Sequence, residues 1–395
     1  MIRITLVLLV PLVLVFIGWI SYVSYLTTRE DRACGVGINV TNEYIDEGND
    51  DELQRVLDNY SAQNGKVGLQ ATVIFSDGTT WSRTSGYASR EKECLVTIEH
   101  HLYIGSITKL YTAMLVMDQV ERGTISLDDT LDQWLIFPYA DTVTLEMLLN
   151  HTSGIPSYTE DAWYLARLFG LSRKHWEPDE LVLVIDNKPL KFEPGSRHEY
   201  SNSNYLLLGM ILENVTGKPY ETQIWESVDE LGLDDTFFFT YPDNAVIANG
   251  YDETLLHLGT RNLTGFRRSL ETGGYSAGGM LSTSEDVALF VRSLFTGQVV
   301  GDSTLSQMAA FVEAPDQDVP LQTGYGLGIR NLTIDGEILV GHTGAIPGYS
   351  GIALHNLEKG YTIAVLSNLS VIEQTELFAE IQGVVLGERM DTIDE

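Results

Sequence analysis

Ser106 stands three residues ahead of Lys109 in the stretch His101-Leu102-Tyr103-Ile104-Gly105-Ser106-Ile107-Thr108-Lys109-Leu110-Tyr111-Thr112, a nucleophile and a base in one short segment. Residues at i and i+3 share a helix face, so the amine is expected beside the hydroxyl. From Ile107 to Val120 the chain is apolar on nearly every face until Gly123 stops it, the pattern of a helix buried all round. Apolar surroundings disfavour the charged form of a lysine and make the neutral amine available as a base. The unpaired N–H groups of a helix's first turn add donors for a developing oxyanion. Nucleophilic acyl transfer is the chemistry these parts suit. Ser-x-x-Lys also recurs by chance in a chain of 395 residues, so its meaning depends on what accompanies it.

Two later stretches do accompany it. Tyr200-Ser201-Asn202 follows the Pro194-Gly195 turn and opens another helical pattern. A phenol held near Lys109 is expected to ionise more easily and to relay the proton of Ser106 to a leaving group. Asn202 offers an amide to a peptide-like substrate. His342-Thr343-Gly344 ends a strand pattern over Glu337–Gly341. A strand at a cleft rim can pair with an extended substrate, and Gly344 would leave room for that backbone to approach. The Ala345 N–H is the second expected oxyanion donor, with His342 and Thr343 as further donors.

Ser-x-x-Lys, Tyr-x-Asn and His-Thr-Gly in this order resemble the serine penicillin-recognising hydrolases. The likeness is to class C β-lactamases and, more closely, to secreted D-alanyl-D-alanine carboxypeptidases with the His-Thr-Gly variant. It runs from about residue 53 to 388. It takes in Leu148-Leu149-Asn150-His151-Thr152-Ser153-Gly154, Asn249-Gly250-Tyr251, Ser276-Ala277-Gly278-Gly279 and Gly324-Tyr325-Gly326-Leu327-Gly328. The resemblance implies a β-lactamase/transpeptidase-like fold, an antiparallel sheet flanked by helices beside an all-α lobe. It implies Ser106 as the acylated nucleophile, Lys109 as its proton partner and Tyr200 as general acid/base. Asn202 would contact the substrate amide, and His342 would stand where β-lactamases carry a lysine, with Thr343 beside it. The N–H groups of Ser106 and Ala345 would form the oxyanion hole. Arg330 matches an arginine that binds the substrate carboxylate, and Trp163 an aromatic residue at the cleft. Two departures stand out. Ala345 replaces a hydroxyl residue, and Gly273 or Gly274 replaces an aromatic one.

Gly274-Tyr275-Ser276-Ala277-Gly278 also fits the nucleophile-elbow pattern G-x-S-x-G. That elbow needs a buried strand before its serine, whereas Arg267, Arg268 and Glu271 precede this one. No histidine pair has metal-ligand spacing and no phosphate-binding glycine loop occurs, so no metal or cofactor is expected.

Helical patterns in the middle and strand patterns at both ends give an α+β chain whose sheet is completed by both termini. The expected division is an α/β part over about 51–115 and 270–395 with a helical lobe over about 116–269. The net charge of −31 argues against nucleic acid as a partner. Ile4 to Leu26 carries no charge and is long enough to span a bilayer. Residues 1–3 would be a cytoplasmic tip, 4–26 an anchor or cleaved signal, and 27–50 a polar spacer leading to an extracytoplasmic body. Cys34 and Cys94 suit either one disulfide or two free thiols. The expected activity is that of a D-alanyl-D-alanine carboxypeptidase. A β-lactamase or small-ester esterase of the same fold is the alternative, and a non-catalytic peptide or β-lactam sensor is the alternative of another class. The expected partner is a small-molecule or peptide substrate.

Overall fold

The computed structural model describes residues 21–22, 25–34, 50–170, 173–253, 260–370 and 372–387. Its central sheet joins the two ends of the chain. Strands β1 (Leu69–Ile74) and β2 (Thr80–Ser85) come from the N-terminal side. Six more come from the C-terminal side: β3 (Val312–Glu313), β4 (Gln322–Tyr325), β5 (Arg330–Ile334), β6 (Glu337–Ile346), β7 (Tyr349–Asn356) and β8 (Thr362–Ser367). Their order is β3-β4-β5-β6-β7-β8-β1-β2, and every neighbouring pair is antiparallel. The termini meet where β8 pairs with β1, Leu69 opposite Ser367 and Ile74 opposite Thr362. The expected α+β architecture, with an antiparallel sheet completed from both ends, is the one found.

Six helices frame the site: α1 (Asp50–Gln63), α2 (Thr108–Glu121), α3 (Asn202–Thr216), α4 (Arg267–Gly278), α5 (Ser284–Phe295) and α6 (Gln374–Val385). Strand residues alternate between two faces. Leu69, Ala71 and Val73 of β1 join Ile363 and Val365 of β8 in a core closed by Leu53, Val56 and Leu57 of α1 and Leu377 and Phe378 of α6. The other face of β1 carries Gln70 and Thr72, buried and therefore in need of partners. Gln70 donates to the carbonyls of Thr97 and His100 at 2.7 and 2.6 Å. The Thr72 hydroxyl meets that of Ser284, at the start of α5, at 2.8 Å.

Helix α2 runs through the larger core with Lys109, Leu110, Tyr111, Ala113, Met114, Val116 and Met117 all buried. Gly123, at φ +69°, follows its end. Between α2 and α4 lie Leu145–Leu149, Ala162–Gly170, Pro178–Val182, α3 and Tyr220–Glu230, all helical, with two-residue strands at Phe237–Phe238, Tyr251–Asp252 and Arg261–Asn262.

Three stretches of chain bear on the site's surroundings. The Gly324–Arg330 stretch belongs to two strands, because the chain reverses between β4 and β5. A Cβ on Gly326 would lie 2.1 Å from the Met308 carbonyl oxygen, so only glycine fits that reversal. The Gly273–Met280 stretch is largely the end of α4, broken at Tyr275 with φ 40°. Residues 27–34, read as the start of a polar spacer, lie against the body. Arg267 donates to the Glu30 carbonyl at 2.7 Å, His100 Nε2 lies 2.9 Å from the Ala33 carbonyl, and Cys34 is disulfide-bonded to Cys94. The buried Arg267 and His100 need acceptors, and this segment supplies them. Most of Ile4–Leu26, the remainder of the spacer and residues 388–395 lie outside the described residues. Among the described residues no helix is long and apolar enough to cross a membrane.

Candidate active site

Ser106 sits in a single helical turn, Gly105–Ile107, that leads into α2. Lys109, fully buried, lies one turn further on with its Nζ 3.0 Å from the Ser106 Oγ. The same Nζ is 2.7 Å from the Asn202 Oδ1 and 2.7 Å from the Ala277 carbonyl oxygen. The break in α4 at Tyr275 falls two residues before Ala277, the residue whose carbonyl receives the lysine. Burial first, and then the Arg330 guanidinium, hold the Lys109 amine well below the usual lysine range.

The turn that carries Ser106 touches the end of β6 backbone to backbone. A Cβ on Gly105 would fall 2.8 Å from the Ala345 N, and one on Gly344 only 2.0 Å from the Ile104 carbonyl oxygen. Gly344 was expected to make room for substrate. The close approach it permits is to the nucleophile's own turn.

Tyr200 stands above these groups. The Lys109 Nζ and the Arg330 guanidinium each lie 4.9 Å from its ring centre. Its hydroxyl is withdrawn from water and makes no hydrogen bond of good geometry, although part of the ring is exposed. Such an orphan at a cleft calls for an explanation. Burial raises the Tyr200 pKa, and Arg330 and Ser106 offset that only in part. The expectation that the nearby Lys109 makes this phenol readily ionised is therefore corrected: desolvation outweighs the Arg330 charge and the Ser106 hydroxyl, and the resting phenol keeps its proton.

Asn202, at the start of α3, was expected to hold substrate. Its amide is tied within the protein, with Oδ1 accepting from Lys109 and Nδ2 donating to the Thr159 hydroxyl at 2.9 Å. His342 is likewise not at the surface of the cleft. It is fully buried, with Nδ1 held by the Thr343 carbonyl and Nε2 2.9 Å from the Tyr325 hydroxyl. A carbonyl only accepts, so Nδ1 carries the proton and Nε2 accepts from Tyr325. Burial, then Arg330 and Lys109, push its pKa well below the ordinary histidine value. His342 is a neutral prop behind the cleft, not the donor to substrate that was expected.

Arg330 does reach the cleft, with one of its guanidinium nitrogens already committed and its Nε unpartnered. Its Nη1 pairs with the Asp316 carboxylate at 3.0 Å and also meets Gln322. Trp163 lies on the outer side of its helix, half exposed, with Arg167 stacked 4.1 Å above its ring. Its neighbours Tyr164, Leu165 and Leu168 face the site in its place. The elbow serine, Ser276, is excluded as a nucleophile, since it is fully buried and donates to the Tyr205 carbonyl at 2.8 Å.

One participant was missed. His151 sits at φ 60°, fully buried, its ring 4.3 Å from that of Tyr200. Its Nδ1 accepts from the Ser201 N–H at 3.3 Å and the Asn204 side chain at 2.9 Å, and its carbonyl accepts from the Glu199 N–H at 3.0 Å. It clamps the loop that carries Tyr200. The Asn150-His151-Thr152-Ser153-Gly154 string was the signal, but sequence gives no hint of which loop it holds.

Ser106, Tyr200, Asn202, Arg330, Thr343, Gly344 and Ala345 thus share one cleft of about 880 Å³, with Lys109 buried behind the serine. Residues 53–381 match the family described as Beta-lactamase. The chain belongs to the Beta-lactamase family. Its relatives in that family include penicillin-binding protein 4 of Amycolatopsis lactamdurans, 30% identical over 82% of this chain and 87% of that one. Two penicillin-binding proteins of Bacillus subtilis (strain 168) are each 27% identical, and the chain spans 68% and 61% of their lengths. Among solved structures, the D-amino acid amidase of Ochrobactrum anthropi SV3 aligns with a TM-score of 0.79 at 26% identity, over 86% of this chain and 99% of that one. The Beta-lactamase-family fold and the family's hydrolases make this chain a serine hydrolase.

Proposed function

We propose that this hydrolase cleaves peptide or amide bonds of D-configured acyl donors through an acyl-enzyme at Ser106. The observation that carries the reading is the Lys109 amine, buried, held below the ordinary lysine range and 3.0 Å from the Ser106 Oγ. In this reading the Ser106 Oγ attacks the substrate carbonyl as Lys109 takes its proton. The oxyanion is received by the N–H groups of Ser106 and Ala345. The protonated Tyr200 hydroxyl then gives its proton to the departing amine, and Lys109 restores it. Water enters by the reverse proton path and releases the acid. His342, behind Tyr325, and Thr343 act in support, the first as a neutral packing partner and the second as a wall of the cleft.

Peptides ending in D-Ala-D-Ala are one substrate class for this chemistry. A specific observation favours a second, amides with a neutral leaving group. Arg330 is paired with Asp316 and Arg197 with Glu199, at 3.0 and 2.7 Å, and Ala345 offers no hydroxyl. The cleft also carries Glu160, Asp318 and Glu373. A substrate carboxylate would enter against net negative charge, so a strict carboxypeptidase is the less favoured form. The charge-free Ile4–Leu26 segment and the Cys34–Cys94 disulfide support an exported, N-terminally anchored or secreted protein.

Intact-protein mass spectrometry after exposure to a penicillin and to p-nitrophenyl esters tests the acyl-enzyme. A mass increase that is lost in Ser106→Ala is expected. No adduct with either reagent and no ester turnover would leave only the sensor alternative. Comparing a D-Ala-D-Ala peptide with its C-terminal amide tests the leaving group, and the amide should be cleaved at least as fast.

A further inference from the structure

A second cavity, of about 250 Å³, opens beside the nucleophile. Ser106, Thr159, Asn202 and Ala345 border both it and the main cleft, the Thr159 hydroxyl being engaged by the Asn202 amide. Beyond them its walls are Leu165, Leu168 and Leu270, with Ile346 and Pro347 beyond Ala345. Tyr158 and Tyr164 also line it, yet both donate their hydroxyls to the Gly273 carbonyl, at 2.6 and 3.2 Å. They therefore turn ring surface rather than polar atoms to the space. No charged side chain lines it among the described residues.

Three glycines, Gly273, Gly274 and Gly278, border that space. A Cβ on Gly273 would lie 2.6 Å from the Tyr164 hydroxyl and 3.3 Å from the Trp176 ring, and one on Gly274 would lie 3.6 Å from Ile346. A larger residue at 273 would displace the tyrosine that forms one wall.

The position of Tyr200 decides which half of a substrate enters. Tyr200 lines the main cleft but not the second cavity. A leaving group protonated by Tyr200 must lie on its side of Ser106, which leaves the second cavity to the acyl side. We propose that this cavity receives the side chain of the acyl donor and selects large apolar groups, an aromatic ring above all, over a methyl. An apolar cavity of about 150 Å³ is enough to hold benzene, so this one has room for a phenyl ring, and a methyl would leave most of its walls uncovered. Apolar pockets discriminate by roughly tenfold or more for even one methylene. The assignment rests on the acyl-enzyme reading above and adds the class of acyl group.

The test compares p-nitrophenyl phenylacetate with p-nitrophenyl acetate, which share a leaving group and carry no stereocentre. The purified full chain should show a kcat/KM ratio of about ten or more in favour of phenylacetate. Leu165→Trp, on a partly exposed helix position, and Ile346→Trp, on the opposite wall, should each reduce that ratio by about tenfold. A ratio near one in the parent protein, or a ratio unmoved by both substitutions, overturns the pocket assignment while leaving the hydrolase intact. Absence of turnover of both esters together with absence of any Ser106 adduct overturns the acyl-enzyme reading and the pocket with it.

Discussion

The Lys109 amine has three oxygen neighbours, and two charge states satisfy them equally well. As an ammonium it donates to the Ser106 Oγ, the Asn202 Oδ1 and the Ala277 carbonyl. As a neutral amine it gives its two hydrogens to the two carbonyl-type oxygens, which can only accept, and turns its lone pair to the Ser106 hydroxyl. Hydrogen bonding is thus indifferent, and burial with the Arg330 charge tips the balance toward the neutral base. The base form grows as pH rises through the Lys109 pKa. Because that pKa lies well below the usual lysine range, kcat/KM for a neutral ester should rise with unit slope and level off well below pH 10.5. Arg330→Gln removes the positive charge and leaves Asp316 unopposed, so the Lys109 pKa should go up. The rising limb should then move to higher pH. A limb that stays in place, or moves to lower pH, would refute the assignment of the base. Tyr200→Phe should lower amide turnover by about 10²- to 10⁴-fold, and an ester with a good leaving group should suffer less in acylation.

At the scale of elements, two glycines let the Ser106 turn and the end of β6 meet without side chains between them. Gly344→Ala puts a Cβ where the Ile104 carbonyl now lies, 2.0 Å away, so the strand or the turn must give way. Displacing Ala345 from Ser106 should cost roughly 10²- to 10³-fold in kcat, the scale of a lost oxyanion donor. The overpacking should also lower stability by about 1–3 kcal/mol. Ester kinetics with a denaturant titration check both, and full activity in this variant would sink the strand's role. Elements of this kind were largely legible beforehand. The i, i+3 spacing of Ser106 and Lys109 is local, and α2 is apolar on nearly every face, so both followed from the local pattern. The strand patterns at both ends of the chain likewise announced a sheet completed from both termini. What stayed hidden depends on partners distant in the chain. The Ala277 carbonyl is a backbone atom with no sequence signature. Arg330 looked free because its carboxylate, Asp316, sits in a loop fourteen residues away. His342 looked exposed because Tyr325, which covers it, belongs to another strand. Trp163 and Leu165 differ only in which side of one helix meets the cleft.

Across the whole molecule, the segment before α1 is held in place by more than its sequence suggested. Leu26 is buried where a Cβ on Gly265 would meet it at 3.2 Å. Arg267 takes the Glu30 carbonyl as well as those of Ile247 and Ala248, and the Cys34–Cys94 bond closes a loop of sequence separation 60. Closing a loop of that length removes unfolded-state entropy worth about 4 kcal/mol in the chain-entropy account, and measured bonds commonly deliver about 2–4 kcal/mol. The bond lies at the β-strand Cys94–Leu95, whose residues do not line the cleft. Replacing both cysteines by serine should therefore lower the free energy of unfolding by about 2–4 kcal/mol and leave ester turnover at 25 °C unchanged. Treating the parent protein with a reducing agent should reproduce the loss, and the serine variant should not respond to it. Equal stability with and without the bond would mean that hydrogen bonds and the packing of Leu26 alone seat this segment. Protease cleavage between residues 26 and 50 would then proceed equally in both forms.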